Sequence, residues 1–80
     1  MVTPSQSRAA RGLLAWTQHD LASKAGVGVV TVHQFEAGTA QPRQATVEVI
    51  RRAFEEAGVE FIDENGGGPG VRLRKRSRTR

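Results

Sequence analysis

The side chains able to do chemistry in this 80-residue chain are few, and they do not converge on a reaction. There is no cysteine, which excludes disulfides, thiolate metal sites and a thiol nucleophile. The two histidines, His19 and His33, are too few to build a structural zinc site on their own, so neither a metal nor a cofactor is expected. His19-Asp20 is the one acid–histidine pairing along the chain, and no nucleophile completes it. The glycine-rich run Gly66-Gly67-Gly68-Pro69-Gly70 lacks the Gly-Lys-Ser/Thr ending of a phosphate-binding loop and reads as a plain connection. An enzyme is therefore not expected.

Charge is the next source of chemistry, and it is unevenly spread. The net charge of +4 hides two opposite regions. Residues 1–71 carry six basic side chains (Arg8, Arg11, Lys24, Arg43, Arg51 and Arg52) against all eight acidic ones. Residues 72–80 carry Arg72, Arg74, Lys75, Arg76, Arg78 and Arg80 and no acid. Such a tail suits phosphate backbones, because each phosphate neutralised releases condensed counterions. It equally fits a solvated, disordered terminus, and residues 75–80 are expected to be a disordered basic tail. No apolar run approaches the length of a membrane span, and the N-terminus lacks the apolar core of a signal peptide. No membrane partner and a cytoplasmic location follow as expectations.

The elements that position these groups can be drawn from start and stop signals. Thr3-Pro4-Ser5-Gln6 is a capping box with proline at the first helical position, opening a helix to about Ala15. Thr17-Gln18-His19-Asp20 opens a second, with Leu21, Ala22 and Ala25 on its apolar face and Gly26 stopping it. A third covers about Val29–Ala37, with Val32 and Phe35 inward, and ends at Gly38. Its β-branched run Val29-Val30-Thr31-Val32 favours a strand locally, but glycines close on either side leave no partner strand. A fourth spans about Ala45–Ala57, where Val47, Ile50, Ala53, Phe54 and Ala57 recur at three- and four-residue spacing. Val59–Ile62 and Val71–Arg74 are short strands around the glycine-rich run, hence a hairpin. The expected architecture is mainly α: a four-helix bundle over residues 1–58, a β-hairpin over 59–74 and the tail.

Spacing inside residues 18–37 is the specific signal. Ala22 is small where two helices cross, Gly26 suits a turn with positive φ, and Val32 plugs the angle between the helices. Leu21, Ala25, Val27 and Phe35 complete the wedge. The run Thr17-Gln18-x-x-Leu21-Ala22-x-x-Ala25-Gly26-Val27-x-x-x-x-Val32-x-x-Phe35-Glu36-x-Gly38, followed by Pro42, resembles the Cro/C1-type family of phage-repressor-like transcriptional regulators, also called the xenobiotic-response-element family. The resemblance covers residues 5–58 and implies a lambda-repressor-like DNA-binding bundle that grips double-stranded operator DNA, usually as a homodimer. Gly28 departs from the serine common in the family, and the chain lacks the usual fifth helix, whose place the hairpin can take.

By this resemblance the third helix enters the major groove. Val29, Val30, Thr31, His33 and Gln34 are then the base-contacting candidates, with Gln34 suited to adenine and the valines to thymine methyls. Thr17, Gln18, Lys24, Thr39, Gln41 and Arg43 are the phosphate-contacting candidates. Phe61, Ile62, Val71 and Leu73 would expose apolar surface on a monomer, which makes them the candidate dimer interface. The competing expectations are a hairpin folded back on its own helices, and a chain whose main role is to bind a protein partner, as an antitoxin or adaptor does. On the helices themselves, Trp16 is expected to pack near Leu21, Glu36 to bridge to Arg11, and Arg51–Glu55 and Arg52–Glu56 to form surface pairs.

Overall fold

The computed structural model describes residues 2–39, 41–64 and 66–74. The expected tail over 75–80 lies outside the described residues, as do Met1, Ala40 and Asn65. The order is α1 (Pro4–Leu14), α2 (Gln18–Ala25), α3 (Val29–Ala37), α4 (Gln44–Glu56), β1 (Val59–Ile62) and β2 (Gly70–Leu73). Four helices followed by a two-stranded antiparallel hairpin match the expected architecture, with small shifts at the ends of α1, α4 and β2.

Both capping boxes form. Thr3 Oγ1 accepts from the Gln6 amide while the Gln6 side chain accepts from the Thr3 amide, and Thr17 and Asp20 repeat the exchange at α2. Each box satisfies two backbone donors that a helix start leaves open. The stops are also alike. After α1, α2 and α3 the chain turns through a left-handed residue, whose neighbour donates back to the preceding turn: Trp16 N to Arg11 O, Val27 N to Ala22 O and Thr39 N to Gln34 O. Gly26 and Gly38 adopt φ of 73° and 74° without a Cβ to oppose it. At α1 the same place is held by Ala15, with φ of 57°. The helix therefore ends at Leu14, one residue before the sequence suggests, because Ala15 is the stop and not the last turn.

Leu21, Val32, Ile50, Phe54 and Val59 are fully buried and form the centre of the core, with Ala22, Phe35, Val47 and Ala53 around them. Trp16 packs against this core with its ring stacked on Phe54 at 5.6 Å, and Phe61 meets Phe54 edge-on at 6.0 Å. Lys24 and Arg51 close the two ends of this aromatic column, 6.0 and 5.0 Å from the Trp16 and Phe61 ring centres. Arg51 also pairs with Glu55 at 2.8 Å, whereas Arg52 and Glu56 do not pair.

The hairpin register is Val59↔Leu73, Glu60↔Arg72, Phe61↔Val71 and Ile62↔Gly70. Alternation puts Val59, Phe61 and Val71 toward the helices, and Glu60–Arg72 outward as an ion pair of 2.9 Å. The expectation that all four hairpin hydrophobics are exposed is thereby corrected. Phe61 and Val71 are half-buried against the bundle, Ile62 (37 % exposed) lies on the outer face with Glu60 and Arg72, and Leu73 shares the face of its partner Val59 but stays 48 % exposed. Gln6 locks the arrangement. While its Oε1 serves the capping box, its Nε2 donates to the carbonyls of Gly70 (2.9 Å) and Ile62 (3.3 Å).

Glu36, on the last turn of α3, is only 2 % exposed. Its carboxylate accepts from Arg11 Nε and NH2, from Ser7 Oγ and from Gln18 Nε2, and its backbone carbonyl accepts from Arg8. Burial pushes the Glu36 pKa up, but the hydrogen bonds of Arg11, Ser7 and Gln18 and the Arg11 charge outweigh it and hold the group below its ordinary value. The expected Glu36–Arg11 bridge is present, at 2.7 Å.

Ala15→Gly should remove the left-handed strain and raise stability by about 1 kcal/mol, seen as a rise in thermal midpoint of about 4–8 °C. Glu36→Ala should lower the unfolding free energy in urea by about 3–5 kcal/mol, because it strands Arg11 beside a buried void. Since Glu36 has a folded-state pKa below its unfolded one, its stabilisation is full above the ordinary value of 4.5 and is lost as pH falls through the folded value. A Glu36→Ala chain should therefore show a shallower acid limb in its stability–pH curve than the parent.

Candidate nucleic-acid interface

Helix α3 sorts its side chains by its own geometry. Val32, Phe35 and Glu36 are buried, while Val30, His33, Gln34 and Ala37 stand exposed at three- and four-residue spacing, which makes one outward stripe. Val30 is 62 % exposed, so most of its side chain is open to a partner. Of the five base-contacting candidates, the structure puts Val30, His33 and Gln34 on that stripe. Val29 packs in part against the core and Thr31 is half-buried at its flank.

The start of α3 is bare. Gly28 supplies no side-chain cap, so the first-turn amides keep their donors and the positive end of the helix dipole stays open. The start of α2 is half open: Asp20 N is taken by Thr17, but the Gln18 and His19 amides make no bond among the described residues. Thr17 serves as the cap and keeps its own hydroxyl proton to donate. Gln18, half-buried, is turned inward to Glu36 at 3.1 Å.

Beyond α3, a shallow groove brings Thr31 and Gln34 beside Gln41, Pro42 and Arg43. Thr39 and Gln41 are exposed, and the Thr39 hydroxyl lies 3.5 Å from the Gln34 carbonyl. Arg43 is the N-cap residue of α4, yet it makes no side-chain cap. A cation there opposes the helix dipole by about 0.3–1 kcal/mol, a local conflict that an anion in the groove would relieve. Thr46, one turn into α4, lines the same groove and is absent from the sequence-derived set. Its only signal is its place three residues after Arg43. Lys24 is set apart: its contact is with Trp16, and nothing in the structure joins it to the other phosphate candidates.

The geometry thus presents an exposed helical stripe of mixed apolar and polar readers, flanked by open amides on one side and a neutral-to-basic groove on the other. Among the described residues no cluster of metal-ligating side chains exists, and no helix is long and apolar enough to cross a membrane. No curated protein matches the chain. A family model described as helix-turn-helix matches residues 8–61, which takes in the paired helices α2 and α3, the groove and β1 up to Phe61. That family is one of DNA-binding domains and not of enzymes. Covering well over half of the sequence, the match agrees with the exposed stripe of α3: the chain belongs to the Cro/C1-type helix-turn-helix family, and it is a DNA-binding helix-turn-helix regulator.

Proposed function

We propose that the chain is a sequence-specific transcriptional regulator that reads a palindromic operator in the major groove as a homodimer, in the bacterial cytoplasm at the nucleoid. The observation that carries this reading is the outward stripe Val30–His33–Gln34 beside open helix starts. Val30 packs on a thymine methyl, Gln34 pairs with adenine and His33 meets a base edge or phosphate. Thr17, Gln18, Thr39, Gln41, Arg43 and Thr46 fix the register through phosphates, with Lys24 outermost. The acidic balance of residues 1–71 leaves bulk attraction to the arginines of residues 72–80. In this reading residues 1–58 are the DNA-binding unit and the hairpin of 59–74 the dimerisation unit. Ile62 and Leu73, the apolar residues left exposed on the hairpin, support that contact, and two copies would read half-sites about 34 Å apart.

Selection of duplexes from a random pool by the full chain should enrich one sequence with thymines opposite Val30; no enrichment at moderate salt would sink the specific reading. Gln34→Ala should relax base preference by roughly 1–3 kcal/mol at one position and leave the slope of affinity against salt unchanged, whereas deleting residues 75–80 should reduce that slope and spare the preference. Sedimentation equilibrium at micromolar concentration should give a dimer for the parent and a monomer for Ile62→Lys with Leu73→Lys; a parent that stays monomeric on and off DNA removes the dimer from the scheme.

A further inference from the structure

Gln18 stands at the first position of α2, where its backbone amide is open, and its side chain is the point at which the buried Glu36 cluster reaches the surface. A carboxylate only accepts hydrogen bonds, so Glu36 can hold the Gln18 side chain in just one of its two amide orientations, with Nε2 inward at 3.1 Å. The flipped orientation would set one oxygen against another. The second proton on Nε2 has no partner among the described residues, and Gln18 is only half-buried. One residue therefore offers two donors, its backbone N–H and a side-chain N–H of fixed orientation, and a phosphate oxygen needs donors only. Glu36 is itself held from the other side by two nitrogens of Arg11 and the hydroxyl of Ser7.

We propose that Glu36 is a positioning residue for DNA binding: through its hydrogen bond it orients the Gln18 amide as a phosphate donor, so that α3 sets a backbone contact made by α2. This rests on the DNA-binding reading above. It assigns Glu36 a role beyond the stability it gives, and it makes the Gln18 contact neutral, hence independent of counterion release.

The test is a thermodynamic cycle on binding to a random-sequence duplex of about 20 base pairs, since a phosphate contact needs no operator. Glu36→Ala alone strands Arg11, so the carboxylate is removed together with its partner as Arg11→Met with Glu36→Met, a replacement of a buried ion pair by apolar side chains that proteins often tolerate. Gln18→Ala should weaken binding by about tenfold with no change in salt slope. The methionine pair should weaken binding comparably in the parent and Gln18→Ala should then have little further effect in the methionine background. If Gln18→Ala weakens binding by the same factor in both backgrounds, the two act separately and the positioning role is overturned. A parent chain that does not bind the duplex overturns the DNA reading instead. Should the methionine pair fail to fold, the side-chain amide of Gln18 in the parent decides the matter by NMR. One proton shifted downfield and a rigid amide on the picosecond–nanosecond scale support the role; an amide as mobile as an exposed glutamine's overturns it.

Discussion

The buried Glu36–Arg11 pair is the interaction on which the arrangement depends. A carboxylate that is almost fully removed from water is unfavourable unless every lone pair is used, and here Arg11, Ser7 and Gln18 use them. Those three donors sit on α1 and α2, while the acceptor sits on α3. The cluster therefore fixes the mutual placement of the first three helices with directional bonds, where apolar packing alone is tolerant of small rotations. An 80-residue chain without cysteine has a small core and no disulfide to support it, so a directional lock of this kind sharpens a geometry that hydrophobic contact only approximates.

The same three helices are the ones that present the interface, and their local chemistry shows how site and scaffold divide the sequence. On α3 the inward residues Val32, Phe35 and Glu36 are spent on the core and the lock, which leaves Val30, His33 and Gln34 free of structural duty. Two helix starts stay open to an anion: Gly28 gives α3 no side-chain cap, and Arg43 sets a cation at the positive end of α4, against the helix dipole. Both lie on the edge of the outward stripe. A fold tolerates a conflict such as that of Arg43 where a partner resolves it, and both starts favour an anion.

Much of this was legible in the amino-acid order, and the reasons differ by element. The capping boxes at Thr3 and Thr17 and the glycines 26 and 38 act through neighbours in the chain, so their signals are local and their helices fall where expected. The β-branched start of α3 reads as strand by propensity, and tertiary packing of Val32 and Phe35 overrides it. The end of α1 was not legible, because Ala15 takes a left-handed conformation that sequence logic reserves for glycine. The division of the hairpin was hidden as well. Whether Phe61 or Ile62 faces the bundle depends on strand register against α4, which no local signal encodes. Thr46 and the inward turn of Gln18 likewise exist only once remote segments meet.

Gln6 ties the start of α1 to the hairpin, and its reach is a matter of topology. One amide side chain ends the cap of the first helix and holds carbonyls 56 and 64 positions further along the chain. Contacts of that span close almost the whole polypeptide into a loop, and their entropy is recovered last, after the helix pairs with short separations have formed. The first turn of α1 and the hairpin are thereby coupled through one side chain, so that opening either one breaks hydrogen bonds that hold the other. Loss of the Gln6 amide should therefore speed hydrogen exchange both at the N-terminal turn and at β2, two places far apart in sequence.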